Sequence, residues 1–483
     1  MNVRKRDILS LSLWALLEKW GNKVFGLLTF VVLARLLDAD SFGVIAIVRL
    51  LLDYLELYVA QGLGYAIIQK KELSSKDIDS AFWVNLLISM VIAGGVFVNS
   101  TEIAIILGYP EISELISWMS VTLVISGLTR IQVSLLTRDM RFKELALRGG
   151  AISVGGGCVG LIMAFQEYGV WSLVGQQLGG AIIGVIVLWF SSNWRPSFCI
   201  SLKSLKELYS FSFKIIIDQQ VFFVSQRIDE ALIAWSLGAN ALGYYSIAKK
   251  LFVLILDLFL SVVSKIAFTV MSKHQKDKVL LKKGLMQSTK MISIVLIPIF
   301  LGSALLAPEV IEIAFGVKWL SATDAFSVLI VSGVFLIIPN LTHSFFNAIG
   351  KPELSLRLNF LRAVVSLILI FYGSQWGVIG VVYAILLRNI IGALADCILL
   401  QRHYLISGVQ YFLIIIRAFL VFLPTGIVVY WVSLFLRGTY DVYIVTACSS
   451  SIAIIFYLAS IFLLHKKLFN EMLMFLKINK ATN

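Results

Sequence analysis

Charged side chains stand inside otherwise apolar stretches of this sequence, and their spacing is helical. Arg49, Asp53 and Glu56 recur at i, i+4 and i+7, which sets all three on one face of a helix. Glu18, Lys19, Asn22 and Lys23 crowd an earlier apolar run. Lys214, Asp218, Arg227 and Asp229 mark a later one, and Lys249, Lys250, Asp257, Ser261 and Ser264 the run after that. A charged group facing hydrocarbon costs very roughly 2.5 to 3.5 kcal/mol, so such faces must meet a partner helix or a wet cavity. Cations so placed suit phosphate oxygens, arginine as a planar fork and lysine as a point charge. Arg49, Arg227, Lys249 and Lys250 are therefore the candidate anion-binding residues, with Arg130 and Arg388 adding positive charge further along. Arg362 adds another, unless it snorkels to the interface. Glu18, Asp53, Glu56, Asp218, Asp229 and Asp257 are candidate cleft carboxylates, able to carry a coupling proton or sodium ion. The plainer alternative is that these groups pair with one another, Arg49 with Asp53 for example, and only hold helices together.

Other chemistries find little footing. The histidines His274, His343, His403 and His465 lack ligand spacing, and Cys158, Cys199, Cys397 and Cys448 are scattered, so neither a metal site nor a disulfide framework is expected. The glycines Gly149, Gly150, Gly155, Gly156, Gly157 and Gly160 follow no strand and lack a Lys-Ser/Thr ending. They read as close helix packing rather than a phosphate loop. Trp171, Trp319 and Trp376 are expected to anchor at the outer interface. No catalytic triad or carboxylate pair stands at a span boundary, so we expect neither an enzyme nor a cofactor.

The elements that position these residues are membrane helices. Of 483 residues, 59% are hydrophobic and 14% charged, and the mean hydropathy of +0.91 excludes a water-soluble globule. Apolar runs long enough to cross roughly 30 Å of hydrocarbon recur from Ile8 to Leu464. About fourteen spans are expected, near residues 8–36, 41–67, 79–99, 113–136, 145–166, 170–191, 208–236, 240–271, 285–307, 321–348, 355–374, 376–400, 411–435 and 440–464. The first is too long for a signal peptide and lacks a cleavage pattern. Sorting the loops alternately puts 25 Lys and Arg on one side and only Lys318 and Arg437 on the other, which predicts both termini in the cytoplasm. The net charge of +13 is thus a topology signal, with no nucleic acid implied.

The chain also repeats itself. Leu33 to Gly43 aligns with Ile233 to Gly243 through Ala34/Ala234, Leu37/Leu237, Ala39/Ala239 and Gly43/Gly243. Glu144-Leu145-Ala146-Leu147-Arg148 matches Glu353-Leu354-Ser355-Leu356-Arg357, and Tyr168-Gly169-Val170 parallels Trp376-Gly377-Val378. Three matches in one order predict two parallel copies of a six-helix half. The expected fold is therefore all-α and integral to the membrane. It comprises lobes at 1–200 and 201–402, a central cleft, and two further helices with a cytoplasmic tail at 403–483. The polar first, second, seventh and eighth spans are the equivalent leading pairs of the two copies.

With Leu237 to Ala248, Leu33-Ala34-Arg35-Leu36-Leu37 before Phe42-Gly43, Tyr168 to Val174, Trp194-Arg195-Pro196-Ser197 and Phe315 to Trp319 in view, the chain resembles the Wzx-type polysaccharide exporters. Within them it looks most like the colanic acid exporter group. The resemblance covers nearly the whole chain. It implies the multidrug/oligosaccharidyl-lipid/polysaccharide superfamily and an undecaprenyl-pyrophosphate-linked oligosaccharide as cargo, flipped outward across the cell inner membrane for lipopolysaccharide, capsule or exopolysaccharide assembly. Partners implied are that lipid-linked substrate, membrane lipids and a polysaccharide polymerase or export machinery. The competing readings are a multidrug antiporter of the same superfamily, which would favour an acidic cleft, and a membrane enzyme acting on lipid-linked sugars, which the short loops disfavour.

Overall fold

The structure, a computed structural model, describes residues 24–60, 63–273, 277–404 and 406–464. Side chains at 60, 209–218, 221–222, 260–270, 272–273, 278, 352 and 464 are not described. Among the described residues the chain is helical, with no strand. Its helices are α1 (Val24–Leu36), α2 (Ala39–Ala60), α3 (Leu63–Gln69), α4 (Ser75–Val98), α5 (Ser100–Ile106), α6 (Ser113–Arg138), α7 (Phe142–Phe165), α8 (Trp171–Ser191) and α9 (Leu202–Lys273). They continue with α10 (Lys278–Leu305), α11 (Ala307–Phe315), α12 (Thr323–Phe335), α13 (Ile337–Ala348), α14 (Pro352–Gly373), α15 (Gly377–Tyr404), α16 (Gly408–Leu436) and α17 (Val442–Leu464). The described parts of the expected spans fall largely on these helices, and residues 8–23 and 61–62 lie outside the described residues.

Nine helical stretches among the described residues are long and apolar enough to cross a membrane. Only 22% of the apolar window of α7 and 17% of that of α17 is buried inside the protein, so their remaining faces are left for lipid. The chain is a multi-pass membrane protein. α2 stands outside the nine because Asp40, Arg49, Asp53 and Glu56 interrupt it.

Two compact units divide the chain, Met1–Gly243 and Tyr244–Asn483. In the first, α6 is the hub, packing on α2, α3, α4 and α8, while α7 lies along α8. Gly156 lets that pair approach, since a Cβ there would stand 2.5 Å from the Gln176 carbonyl oxygen and 2.9 Å from Gly180 Cα. The glycine run of the fifth expected span thus serves packing. Arg138, ending α6, donates to the carbonyls of Ile67, Lys70 and Lys71 and so caps the C-terminus of α3. The Trp-Arg-Pro-Ser segment latches onto α4. Trp194 packs edge-on against Phe82, and Trp83 Nε1 donates to the Ser197 carbonyl at 2.8 Å.

The repeated motif meets itself within this first unit. A Cβ on Gly43 would fall 1.7 Å from the Ala239 carbonyl oxygen, and one on Gly243 would fall 1.9 Å from that of Ala39. The two copies therefore cross backbone to backbone, reciprocally, at the positions whose identity revealed the repeat. Beside this crossing the helical run of α9 breaks at Gly238 (φ 91°, ψ 173°), and the Tyr109 hydroxyl donates to the Ala234 carbonyl at 2.7 Å. Burial, with Glu111 and Asp40 nearby, pushes that hydroxyl above the usual tyrosine range. The matched glycines Gly169 (φ +54°) and Gly377 (φ +74°) both take positive φ, just before or at the start of α8 and α15.

In the second unit α10 packs on α12 and α16, α12 and α14 on α15, and α16 on α17. Phe300, Phe315, Phe326, Phe345, Phe346, Trp319, Tyr245 and Tyr411 are its fully buried aromatic side chains. Trp319 thereby departs from the expected interface belt. It is wholly enclosed, edge-on to Tyr244 at 5.7 Å, whereas Trp376 is 73% exposed as a belt residue would be. The short turn before α12 tucks the ring inward, which loop position alone does not reveal.

Candidate charged site on the membrane helices

In the first unit, α2, α6 and α9 bring together Arg49, Asp53, Glu56, Arg130, Arg227 and Asp229 from the expected set. α2 begins where the Asp38 carboxylate accepts from the Ser41 amide at 2.9 Å, and its polar stripe then runs down one face. Asp53 does not take Arg49, four residues back on its own helix. It pairs instead with Arg227 of α9, 174 residues away in sequence, at 3.2 Å. Arg227 is shared: its other amino nitrogen donates to Glu230 at 2.8 Å, and buried Asp229 adds its negative field. Glu56 accepts from Ser126 of α6 at 2.8 Å and faces Arg130 at 3.5 Å. Arg148 of α7 lies within electrostatic reach of Arg130.

Arg49 differs from its neighbours. It is exposed, acts on Asp53 through space, and makes no ion pair among the described residues. The cluster as a whole is close to neutral, with guanidiniums Arg49, Arg130, Arg148 and Arg227 against carboxylates Asp53, Glu56, Asp229 and Glu230. Among the described residues this cluster therefore carries no surplus of cations. About a third of each of the Arg130, Arg227 and Asp53 side chains is open, so their pairings are exchangeable ones rather than sealed ones.

The remaining candidates lie elsewhere. Lys249, Lys250 and Asp257 belong to the second unit. Lys249 Nζ stands 5.7 Å from the centre of the Tyr245 ring, and Lys250 and Asp257 are exposed. Arg388 of α15 sits in its own polar group, donating to Asn389 at 3.1 Å and to Ser366 at 3.2 Å. Glu18 and the side chain of Asp218 lie outside the described residues. Arg362 does not snorkel: it turns inward onto Asp396. Reasoning from spacing also missed Glu230 and the exposed pair Tyr54 and Tyr58. Their hydroxyls are 2.9 Å apart, and Tyr54 packs on Phe223 at 5.7 Å. The available signal was the interleaving of tyrosines with the charges of α2.

Multi-pass helices that carry ion-pairing side chains suit a membrane transporter, and solved structures share the fold. The chain superposes on "Lipid II flippase MurJ, inward closed conformation" with a TM-score of 0.75 at 16% identity, covering 94% of this chain and 99% of that one. A multidrug resistance MATE family transporter of the MOP superfamily gives 0.60 at 15% identity, covering 81% and 95%. The chain belongs to the polysaccharide biosynthesis protein family, whose sequence profile matches residues 32–324. It is 26% identical to the succinoglycan biosynthesis transport protein ExoT of Rhizobium meliloti (strain 1021), over 75% of this chain and 73% of that protein. It is 24% identical to the lipopolysaccharide biosynthesis protein WzxC of Escherichia coli (strain K12), over 86% and 85%. With the teichuronic acid biosynthesis protein TuaB of Bacillus subtilis (strain 168) it shares 22%, over 89% of each. The resemblance to Wzx-type polysaccharide exporters is borne out, and the kinship is with transporters rather than enzymes.

Proposed function

We propose that the protein flips an undecaprenyl-pyrophosphate-linked oligosaccharide from the cytoplasmic to the outer face of the cell inner membrane by alternating access. On this reading all fourteen expected spans cross the membrane and both termini are cytoplasmic. The lobes 1–200 and 201–402 are the two repeats, with residues 403–483 appended. Kinship with polysaccharide biosynthesis transport proteins supports the cargo class. The observation that carries the chemistry is Arg49, a guanidinium exposed on an otherwise membrane-embedded helix while the acids beside it are engaged by Arg227 and Arg130. Such a group is expensive to keep without an anion to receive.

Arg49 meets the pyrophosphate first, and Arg227 and Arg130 join by exchanging carboxylate for phosphate oxygens. Lys249, Lys250 and Arg388 remain candidates for later contacts, and Tyr54 and Tyr58 offer ring faces and hydroxyls to the glycan. A pyrophosphate diester carries roughly two negative charges, so an inside-negative potential favours its export by about 2.3 kcal/mol per charge per 100 mV. A polysaccharide polymerase is the expected downstream partner.

The balanced charge of the cluster also suits a cation antiporter, and one experiment separates the two readings. Vesicles carrying the protein and a fluorescent polyprenyl pyrophosphate are assayed for transfer of the probe between leaflets. The flippase reading expects transfer in the wild type and at least a tenfold loss in Arg49→Ala at equal protein level. Transfer of an organic cation with none of the probe would establish the antiporter instead.

A further inference from the structure

The second unit holds ionisable side chains that the anion site leaves unused. Asp396 on α15 is fully buried, and its Oδ2 accepts from Arg362 of α14. The other amino nitrogen of that guanidinium reaches Nε2 of His343 on α13 at 2.9 Å and Oδ1 of Asn359 at 3.0 Å. Gly392, one turn before Asp396, makes room for this arrangement. A Cβ there would stand 2.8 Å from Arg362 Nε and 3.4 Å from its Cδ, so the arginine stem lies across the glycine. Asp396 Oδ1 and Arg362 Nε are enclosed without a hydrogen-bond partner among the described residues. An unfilled position on a wholly buried carboxylate calls for an explanation.

Other groups border this centre. α15 adds Cys397 next to Asp396. α16 brings Tyr411, whose hydroxyl accepts from Thr289 of α10 at 3.0 Å and lies within electrostatic reach of Asp396. Lys290 follows Thr289 on α10, Arg357 precedes Arg362 on α14, and α12 carries Asp324 only in its first turn.

A guanidinium has donors only, so Nε2 of His343 must accept, and the imidazole is neutral with its proton on Nδ1. A second proton on Nε2 removes that acceptor and sets two cations face to face in a confined space. The ring can therefore be protonated only as Arg362 lets go, leaving the imidazolium to balance Asp396. We propose that His343, Arg362 and Asp396 form a proton-binding site that couples transport to the proton gradient. One hydronium proton from the outer aqueous phase binds Nε2 as Arg362 leaves Asp396, leaving water behind, and the same proton departs to water on the cytoplasmic side when Arg362 returns. The coupling role rests on the transport reading above, whereas the proton exchange does not.

Two measurements test this. The protein in nanodiscs, with 15N-labelled histidine, shows four ring signals, and His343→Gln assigns one of them. At about pH 6, where an ordinary histidine begins to charge, the His343 ring is expected to be neutral with Nε2 accepting. Gly392→Ala displaces Arg362 without removing any charge and is expected to convert the ring to the charged form. Arg362→Gln serves in its place if that variant does not fold. A His343 ring already charged, protonated at Nε2, or unchanged in the displaced variant overturns the proposal. In the vesicle assay with the fluorescent polyprenyl pyrophosphate, His343→Gln is expected to lose at least tenfold of the stimulation by an imposed pH gradient while keeping that by an imposed potential. An undiminished pH-gradient response overturns the coupling role. A wild type that moves no probe refutes the transport reading, while the ring spectra still decide the proton site.

Discussion

Replacing Asp53 by Asn should tighten, not weaken, the binding of a pyrophosphate. Arg227 divides its guanidinium between Asp53 at 3.2 Å and Glu230 at 2.8 Å, and an anionic head group must compete with both. The side chains of Arg227 and Asp53 are 38% and 30% exposed, so their pair is worth no more than a surface-like pairing, about 0.2 to 1 kcal/mol. Removing the carboxylate charge returns that energy to the ligand, a gain of roughly 1.5- to 5-fold in affinity. Glu230 is nearly enclosed and more closely bonded, so Glu230→Gln should give at least as much, whereas Arg227→Gln should cancel the gain in a double variant. Calorimetry of a short-chain polyprenyl pyrophosphate with the protein in nanodiscs reads the wild type, each single variant and each double variant, and unfolding midpoints check that the helices remain in place. Weaker binding in Asp53→Asn, with an unchanged midpoint, would refute the competition and make Asp53 a ligand-side group.

The reciprocal crossing makes Gly43→Leu and Gly243→Leu comparably destabilising, by about 1 to 3 kcal/mol or more each, against a neutral Gly94→Leu whose surroundings are open. Thermal unfolding in detergent checks this, and a large asymmetry would count against the repeat contact. Trp319→Ala should cost about 3 to 5 kcal/mol in the same assay and Trp376→Ala very little, since one ring is enclosed and the other mostly exposed. Removing the cap in Arg138→Ala should cost about 1.5 to 3 kcal/mol, because several carbonyls lose one charged donor at once. For topology, cysteines placed at Lys318 and Arg437 in a chain with its four native cysteines replaced should react with an impermeant maleimide in intact cells, and one at Lys143 should not.

Helix positions were legible because lipid imposes one rule on every span, apolar length. The glycines at 43 and 243 were legible as matched positions, and a close backbone crossing that leaves no room for a Cβ is the physical reason for both. Partner choice was not legible. Spacing shows that Arg49 and Asp53 share a face of α2, and local pairing was the natural alternative, yet Asp53 looks across to α9. Side chains on one helix lie parallel to each other, and a facing helix meets them head on, so packing rather than spacing decides the pair. The same holds for Arg362. Its place in the sequence left it either an added cation within the helices or a snorkelling one, and it turns inward because Gly392 on the neighbouring helix leaves a slot leading to Asp396. His343 was passed over for want of a ligand spacing, although its partner is a guanidinium rather than a metal.

The near neutrality of the α2, α6 and α9 cluster bears on how a flippase releases its cargo. Four guanidiniums left bare beside hydrocarbon would be costly at rest, and once they closed on a pyrophosphate they would hold it too firmly for turnover. Carboxylates standing within reach of the same guanidiniums remove both difficulties. They neutralise the empty site, and they are present as competitors when the head group must leave. On this argument the acids of the stripe are as necessary to export as the arginines. Removing Asp53 and Glu230 together should therefore raise affinity for the head group while slowing its transfer.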